Sequence, residues 1–196
     1  IRVLTHEIMN SITPIISLSE TLSERGIPES LGEKEYSAML QAMQTIHRRS
    51  KGLLGFVENY RRLTRIPTPV RTKVSVAELF TDLKKLFPEE YIHFEMPASD
   101  LFLYVDRAQI EQVLINLLKN ARETCERKID KEIQIKFFSK DNPTLAISDN
   151  GEGILPTVLD KIFVPFFTTK TSGSGIGLSL CKQIMALHDG SINVKS

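Results

Sequence analysis

Hydrophobic residues in the first third of the chain recur at alternating spacings of three and four residues. One series consists of Ile1, Leu4, Ile8, Ser11, Ile15, Leu18 and Leu22, and a second of Tyr36, Met39, Met43, Ile46, Ser50, Leu53, Val57 and Tyr60. This heptad spacing is typical of two amphipathic helices. Turn-forming residues over 26–30 separate the two series, so the pattern predicts an antiparallel helical hairpin.

The predicted hairpin carries more apolar surface than one hairpin can bury. Ile12 and Ile16 widen the first apolar stripe beyond the width that one partner helix would cover. We therefore expect a homodimer through residues 1–64, in which two hairpins form a four-helix bundle. The alternative is a hairpin packed on the rest of the chain. Pro14 is expected to bend the first helix because proline has no amide hydrogen to donate.

Beyond residue 65 the helical period gives way to shorter, mixed runs. Pro67 and Pro69 cannot continue a helix. The later patterns predict helices over 76–87, 106–126 and 175–187, and strands over 91–96, 101–105, 132–138, 144–148 and 191–195. The fold class is therefore α+β: a hairpin (1–65), a linker (66–75), and an α/β sandwich (76–196) with helices on one face of a mostly antiparallel sheet.

Composition narrows the class of protein. The chain has 196 residues, of which 41% are hydrophobic, and a net charge of +1, which argues against nucleic-acid binding through charge alone. No apolar run approaches the length of a membrane span and no signal peptide opens the chain, so no membrane contact is expected. We expect a cytoplasmic fragment of a longer protein and leave an inner-membrane anchor elsewhere open. Cys125 and Cys181 are expected to be small buried apolar residues.

Glycines concentrate in two loops of the second domain. Gly151 and Gly153 follow a predicted strand, whereas Gly173, Gly175 and Gly177 open a predicted helix. Bare backbone amides at a helix N-terminus bind phosphate oxygens, and Lys170 adds a positive charge. Ordinary tight turns also need glycine, so both interpretations stay open. The aromatic segment 163–170 between the loops is interpreted either as a lid or as a core plug.

One face of the helix predicted from Asp106 is polar. Its members recur at spacings of three and four: Gln109, Gln112, Asn116, Asn120 and Glu123. Amide oxygens at this spacing could hold Mg²⁺, which takes few protein ligands and keeps several waters. Spacing alone favours the alternative, a solvated polar face.

His6 lies on the side of the first helix that faces away from the heptad series. Glu7 is adjacent and could hold one ring nitrogen, which would make the other nitrogen more nucleophilic. Asn10 follows one turn later on the same face. Helix geometry by itself favours the alternative of an ordinary exposed histidine. His47, His93 and His188 are given no catalytic role.

Together, these motifs resemble those of the sensor histidine kinases of two-component systems, over nearly the whole chain. The segments 4–10, 116–120, 149–153, 163–167 and 173–178 resemble the H, N, G1, F and G2 boxes, in the family's order. The resemblance implies a phospho-acceptor hairpin followed by a Bergerat-type ATP-binding domain, which gyrase, heat-shock-90 and mismatch-repair ATPases share.

The resemblance also implies roles for individual residues. His6 would accept the γ-phosphoryl group of ATP, assisted by Glu7, and pass it to an Asp of a response-regulator receiver domain. Asp149 would bind the adenine amino group, and Asn120 with Asn116 would reach Mg²⁺ and the phosphates. The remaining nucleotide-binding positions would be Gly151, Gly153, Lys170, Gly173, Gly175, Gly177 and Leu178. Asn10 resembles the phosphatase determinant of bifunctional kinases.

Two departures and two alternatives accompany this interpretation. Ser11 stands where many family members have proline, and Glu123 stands where many have lysine. The first alternative is an ATPase clamp that hydrolyses ATP, but such enzymes place a Glu general base at the position of Asn116. The second is a non-catalytic dimerisation scaffold, which would not need Asp149, Asn120 and the glycines.

Overall fold

A computed structural model describes residues 2–24, 32–97, 100–138, 142–170 and 173–196 of the chain. It separates into two units, Ile1–Thr64 and Arg65–Ser196. The side chains of residues 2–7 and 23–24 lie outside the described part. Among the described residues, none of the helices combines the length and the apolar character needed to cross a bilayer.

The first unit consists of two long helices that pack against each other, as the heptad patterns predict. They are α1 (Arg2–Glu24) and α2 (Glu33–Thr64). α1 continues through Pro14 without a break in its assignment. The turn predicted over 26–30 lies outside the described residues.

The second unit is a mixed α/β fold. Its helices are α3 (Val76–Leu86), α4 (Arg107–Thr124) and α5 (Gly177–Leu187), and its strands are β1 (Thr72–Ser75), β2 (Ile92–Phe94), β3 (Phe102–Val105), β4 (Ile133–Phe138) and β5 (Thr144–Asp149). A short 3₁₀ turn covers Pro156–Val158. β1 pairs antiparallel with β3, whereas β4 pairs parallel with β2 and antiparallel with β5.

The core of this unit lies between α3, α4 and the three-stranded sheet. Fully buried side chains come from all three layers and include Leu79, Phe80, Leu83, Leu118, Ile133 and Ile135. Cys125 and Cys181 are both fully buried, which confirms their interpretation as small apolar residues.

Asp106 fixes the start of α4, the helix that carries the candidate site. Its carboxylate accepts hydrogen bonds from the backbone N–H groups of Gln109 (3.1 Å) and Val70 (2.9 Å). These two bonds, that from Val70 above all, lower the pKa of Asp106 below its usual value because they favour the charged form. Such an N-cap sets the position and rotation of the helix, and hence of the polar side chains that follow.

Several predicted details are corrected by the tertiary pairing. The expected linker 66–75 contains β1, because Thr72–Ser75 finds a partner in β3. The expected single sheet is two sheets, and β2 is parallel to its neighbour. The strand predicted over 191–195 is absent, since the described residues 191–196 belong to neither sheet. α5 begins at Gly177 instead of residue 175.

Candidate nucleotide-binding site

One face of α4 organises the candidate site. Asn116, Asn120 and Thr124 follow one another at spacings of four, so they share a face of the helix. Each faces a different segment of the second unit. Asn116 lies at the start of α5, where its Oδ1 is 3.7 Å from the point that a Cβ on Gly177 would occupy. The other two residues contact Lys170 and Asp149 and are described next.

Asp149, at the end of β5, is tied to the last turn of α4. Its Oδ1 accepts hydrogen bonds from Thr124 Oγ1 (3.1 Å) and from the Gly151 N–H (3.0 Å). A Cβ on Gly151 would lie 2.7 Å from this same oxygen and 2.8 Å from the Thr124 side chain, so the turn admits glycine alone without rearrangement. The Asp149 side chain is exposed, which leaves it able to meet a ligand. Sequence reasoning missed Thr124, although its spacing from Asn120 could have indicated it.

Asn150 is a second residue that sequence reasoning missed. Its Oδ1 accepts from the Glu132 N–H (3.0 Å) and from the Cys125 thiol (3.6 Å), and its Nδ2 donates to the Asp130 carbonyl (2.5 Å). This amide therefore joins the loop after α4, the start of β4 and the end of β5. It fixes the backbone next to Asp149, and no sequence pattern would distinguish it from a turn-forming Asn.

The second glycine loop packs backbone against backbone on the aromatic segment. Gly175 has a φ of +65°, and a Cβ there would lie 2.5 Å from the carbonyl carbon of Phe166. The Phe166 N–H donates to the Gly175 carbonyl over 2.9 Å, and Phe166 itself has a φ of +66°. The phenylalanine rings of the segment 163–167 are half-buried. The two loops are therefore held as one piece at the entrance of α5.

The N-terminus of α5 is suited to an anion. Its N-cap residue, Ile176, supplies no side-chain hydrogen bond to the first turn, and Gly177 opens the helix. Amides at such a terminus bind phosphate oxygens. Leu178 is half-buried in the same turn, and Gly173 lies close to Thr168, whose Oγ1 would be 2.6 Å from a Cβ at residue 173.

Lys170 connects the glycine loop to the face of α4. Its Nζ donates to the Asn120 Oδ1 over 3.1 Å and forms an ion pair with Glu123. Both partners lie on α4 within one turn of each other, so the Lys170 ammonium sits directly beside the Asn120 amide oxygen.

The groups of the site that could bind a cation are amide oxygens, not a cluster of His, Cys, Asp or Glu side chains. Within the part of the chain that the structure describes, no three His, Cys, Asp or Glu side chains lie close enough to hold a metal ion. Cys181 lies beside Asn116, and burial raises its thiol pKa to about 12, so it stays protonated at neutral pH and its S–H faces the Val113 carbonyl at 3.8 Å. Asn116 and Asn120 therefore remain the candidate ligands for a hard cation.

Gln109 does not belong to this site, contrary to the expectation of a single polar face. It is only 6% exposed, and its Nε2 donates to the Pro67 carbonyl over 2.9 Å. The segment before β1 therefore covers the first turn of α4 and removes Gln109 from the solvated face. His188 has a structural contact, since its Nε2 accepts from the Asp106 N–H over 3.0 Å.

The candidate phospho-acceptor residues belong to the first unit. His6 and Glu7 lie in α1, and their side chains are outside the described part of the structure. Asn10 follows one turn later and is exposed.

Comparison with known proteins agrees with this geometry. Residues 105–196 match the family model described as histidine kinase-, DNA gyrase B- and HSP90-like ATPase. An NtrY-like sensor histidine kinase from Rickettsia conorii is 31% identical over 194 residues, which cover 96% of this chain and 32% of that protein. The chain thus spans about a third of the length of the curated relatives it matches.

Solved structures give the same result. The catalytic domain of histidine kinase ThkA is 35% identical with a TM-score of 0.52, over 59% of this chain and 79% of that domain. ThkA in complex with the response regulator protein TrrA is 26% identical with a TM-score of 0.58, over 95% of this chain and 53% of that one. With an N-terminal helical unit followed by the glycine loops and polar α4 face of the second unit, the chain belongs to the sensor histidine kinase family.

Proposed function

We propose that this chain is the core of an ATP-dependent protein-histidine kinase that autophosphorylates at His6. The observation that carries the proposal is the face of α4, where Asn116 lies beside the first residue of α5, Asn120 contacts Lys170 and Thr124 contacts Asp149. These three neighbours supply an uncapped helix N-terminus, a cation and a carboxylate. A nucleotide has matching parts. The amino group of its base can meet the carboxylate, and its negatively charged triphosphate can meet the cation and the helix N-terminus.

The base end of the nucleotide is assigned to Asp149. Its exposed carboxylate is held in place by Thr124 and by the Gly151 N–H, and it can accept a hydrogen bond from the exocyclic amino group of adenine. Gly151 and Gly153 keep the backbone of this turn free of side chains, and Gly153 has a φ of +73°. The side-chain hydrogen bonds of Asn150 to Glu132 and Asp130 hold the residue that precedes this turn.

The phosphates are assigned to the opposite end of the site. The loop from Gly173 to Gly177 and the first turn of α5, which includes Leu178, offer backbone amides, and Lys170 offers a positive charge. The amide oxygens of Asn116 and Asn120 would hold a magnesium ion. When bound, Mg²⁺ neutralises charge on the transferred phosphoryl group.

The chemical step is a transfer to nitrogen. An imidazole nitrogen of His6 attacks the γ-phosphorus, the bond to the β–γ bridging oxygen breaks, and ADP leaves. Glu7, the neighbouring carboxylate, takes the proton from the other ring nitrogen. The phosphoryl group would then pass to an Asp carboxylate of a receiver domain. The ThkA–TrrA complex, a histidine kinase with a response regulator, supports this choice of partner.

We also assign dimerisation to residues 1–64. The described side chains of this unit leave large apolar residues exposed in the single chain, and several recur at helical spacing on α2: Tyr36, Leu40, Met43, Leu54 and Val57. A second hairpin would cover them in a four-helix bundle. The phospho-acceptor region is accordingly placed in residues 1–65.

Asn10 is assigned a second activity, dephosphorylation of the regulator. It is exposed on α1 one turn after His6, and its amide can donate to and accept from a water. A phospho-Asp docked beside His6 would place its phosphorus within reach of that water.

Incubation with Mg-ATP tests the kinase directly. Phosphate should appear on the protein in an acid-labile and base-stable form, and the His6→Ala variant should carry none. Persistent labelling of the pure His6→Ala protein would contradict the acceptor assignment. ATP turnover to free phosphate without any labelled protein would instead favour the ATPase clamp.

A further inference from the structure

The ion pair between Lys170 and Glu123 has no place in the roles assigned above. The two residues are 47 positions apart in sequence, and Lys170 also donates to Asn120, one turn before Glu123 on α4. The only cation at the proposed phosphate end among the contacts described is therefore engaged by a carboxylate. A triphosphate that uses Lys170 must compete with that carboxylate.

The exposure of the pair determines how strong this competition is. The Lys170 side chain is 39% exposed and that of Glu123 is 52% exposed. Exposed pairs are screened by water and are weak, so a phosphate group can replace the carboxylate as partner of Lys170. The competition remains because the ammonium cannot form both close ion pairs without bringing two negative groups together.

We propose that Glu123 determines nucleotide affinity by competing with the phosphates for Lys170, which weakens binding and favours release of ADP. The proposal rests on the nucleotide site proposed above. Competition and structural support predict opposite changes in nucleotide affinity when the Glu123 carboxylate is removed. If the carboxylate merely held Lys170 in position for the nucleotide, its removal would weaken binding, whereas a competitor's removal must strengthen it.

The test measures affinities for three ligands that differ in phosphate content. Calorimetry with adenosine, Mg-ADP and Mg-ATP is carried out on the parent chain and on Glu123→Gln, which keeps the shape and removes the charge. We expect Glu123→Gln to bind ADP and ATP about fivefold more tightly, in line with the strength of exposed ion pairs, and adenosine unchanged. Thermal unfolding of each variant checks that the exposed substitution leaves the fold intact.

Two further variants locate the effect. In a Lys170→Gln background, adding Glu123→Gln should change ATP affinity less than twofold, because the contested cation is gone. Glu126→Gln is the matched control, since it removes the same charge from the turn directly after α4, and Glu126 is in none of the ion pairs described. It should leave ATP affinity within twofold of the parent.

The outcomes separate this inference from the proposed function. A parent chain that binds no ATP overturns both. A parent that binds ATP while Glu123→Gln binds it equally or more weakly overturns the competition alone. Tighter binding of adenosine, an effect matched by Glu126→Gln, or a gain that persists without Lys170 overturns it as well.

Discussion

The two units of the chain bury their apolar residues to very different degrees. In the second unit, side chains from α3, α4, β4 and α5 are fully enclosed, with relative exposures of 0% at Leu79, Phe80, Leu118, Ile133, Ile135 and Ile184. In the first unit, Leu63 is the single buried side chain among those described. The exposed residues there include Met9, Ile16, Tyr36, Leu40 and Met43.

This difference agrees with what the role proposed for each unit requires. A nucleotide site needs groups from several loops held at fixed distances, and a closed core with polar links such as Asn150 provides that within one chain. A two-helix hairpin has too little interior to do so, because two helices can bury only the stripe along which they meet. We therefore expect the stability of the hairpin to depend on a second copy of the chain. We expect the second unit to be stable without one.

Removal of the proposed acceptor, His6, should have the largest effect and should separate the units by function. His6→Ala is expected to abolish phosphorylation and to leave ATP affinity within twofold of the parent, because the proposed nucleotide site lies wholly in the second unit. Phosphate incorporation and calorimetry measure the two quantities. His47→Ala, at an exposed position of α2, is the control and should phosphorylate normally. A large loss of ATP affinity in His6→Ala would contradict the assignment of nucleotide binding to the second unit alone.

Leucine truncations compare the two units by stability. Leu118→Ala removes a fully buried side chain and should lower the free energy of unfolding by about 2–5 kcal/mol. Leu54→Ala changes a side chain that is 66% exposed in the single chain, so we expect its main effect on self-association. Chemical denaturation and sedimentation equilibrium measure these effects. Equal losses of unfolding free energy in dilute solution, without any change in association, would contradict the contrast.

Asp149→Asn examines the fixed geometry of the second unit. Loss of the charged acceptor should weaken ATP binding by about ten- to a hundredfold, or ~1.5–3 kcal/mol. The Thr124 hydroxyl and the Gly151 N–H would face an amide in place of the carboxylate. Calorimetry provides the measurement, and Asp100→Asn, at an exposed position, provides the control. Unchanged ATP affinity in Asp149→Asn would rule out the adenine contact.

Glycine-to-alanine substitutions should change stability in opposite directions in the two units. Gly175→Ala must adopt a positive φ and meet the Phe166 backbone at 2.5 Å, so we expect a loss of about 1–3 kcal/mol in stability. In Gly52→Ala in α2, the new Cβ meets nothing within 4 Å apart from its chain neighbours and the adjoining helix backbone, and the variant should gain up to about 1 kcal/mol from helix propensity. Thermal unfolding reports both changes. A stabilising Gly175→Ala would show that the loop does not need the positive φ at this position.

Asn10→Ala tests the second activity that is proposed for the hairpin. It should leave His6 phosphorylation intact and slow dephosphorylation of a phospho-regulator about tenfold, or ~1.4 kcal/mol of barrier. The decay of purified phospho-regulator with ADP and either protein is the measurement. Equal decay rates, or loss of autophosphorylation in the variant, would remove the separate role of Asn10.

Local patterns determined much of the architecture in advance. The two heptad series predict α1 and α2, and the cap at Asp106 predicts the start of α4 within one residue. Helix periodicity and capping act between residues three or four apart, so they can be read from sequence without knowledge of the fold. The same holds for the glycine-rich turns, whose residue types are set by local backbone conformation, as the positive φ values at Gly153 and Gly175 indicate.

The tertiary structure alone decided which distant residues meet. β1 forms because residues 72–75 pair with β3, Gln109 is buried because Pro67 covers it, and Lys170 forms an ion pair with Glu123. Thr124 and Asn150 gain their roles in the same way, through contacts with residues 18–25 positions away. Such contacts depend on how helices and sheets pack, and the pattern of any single segment carries no information about its neighbour in space.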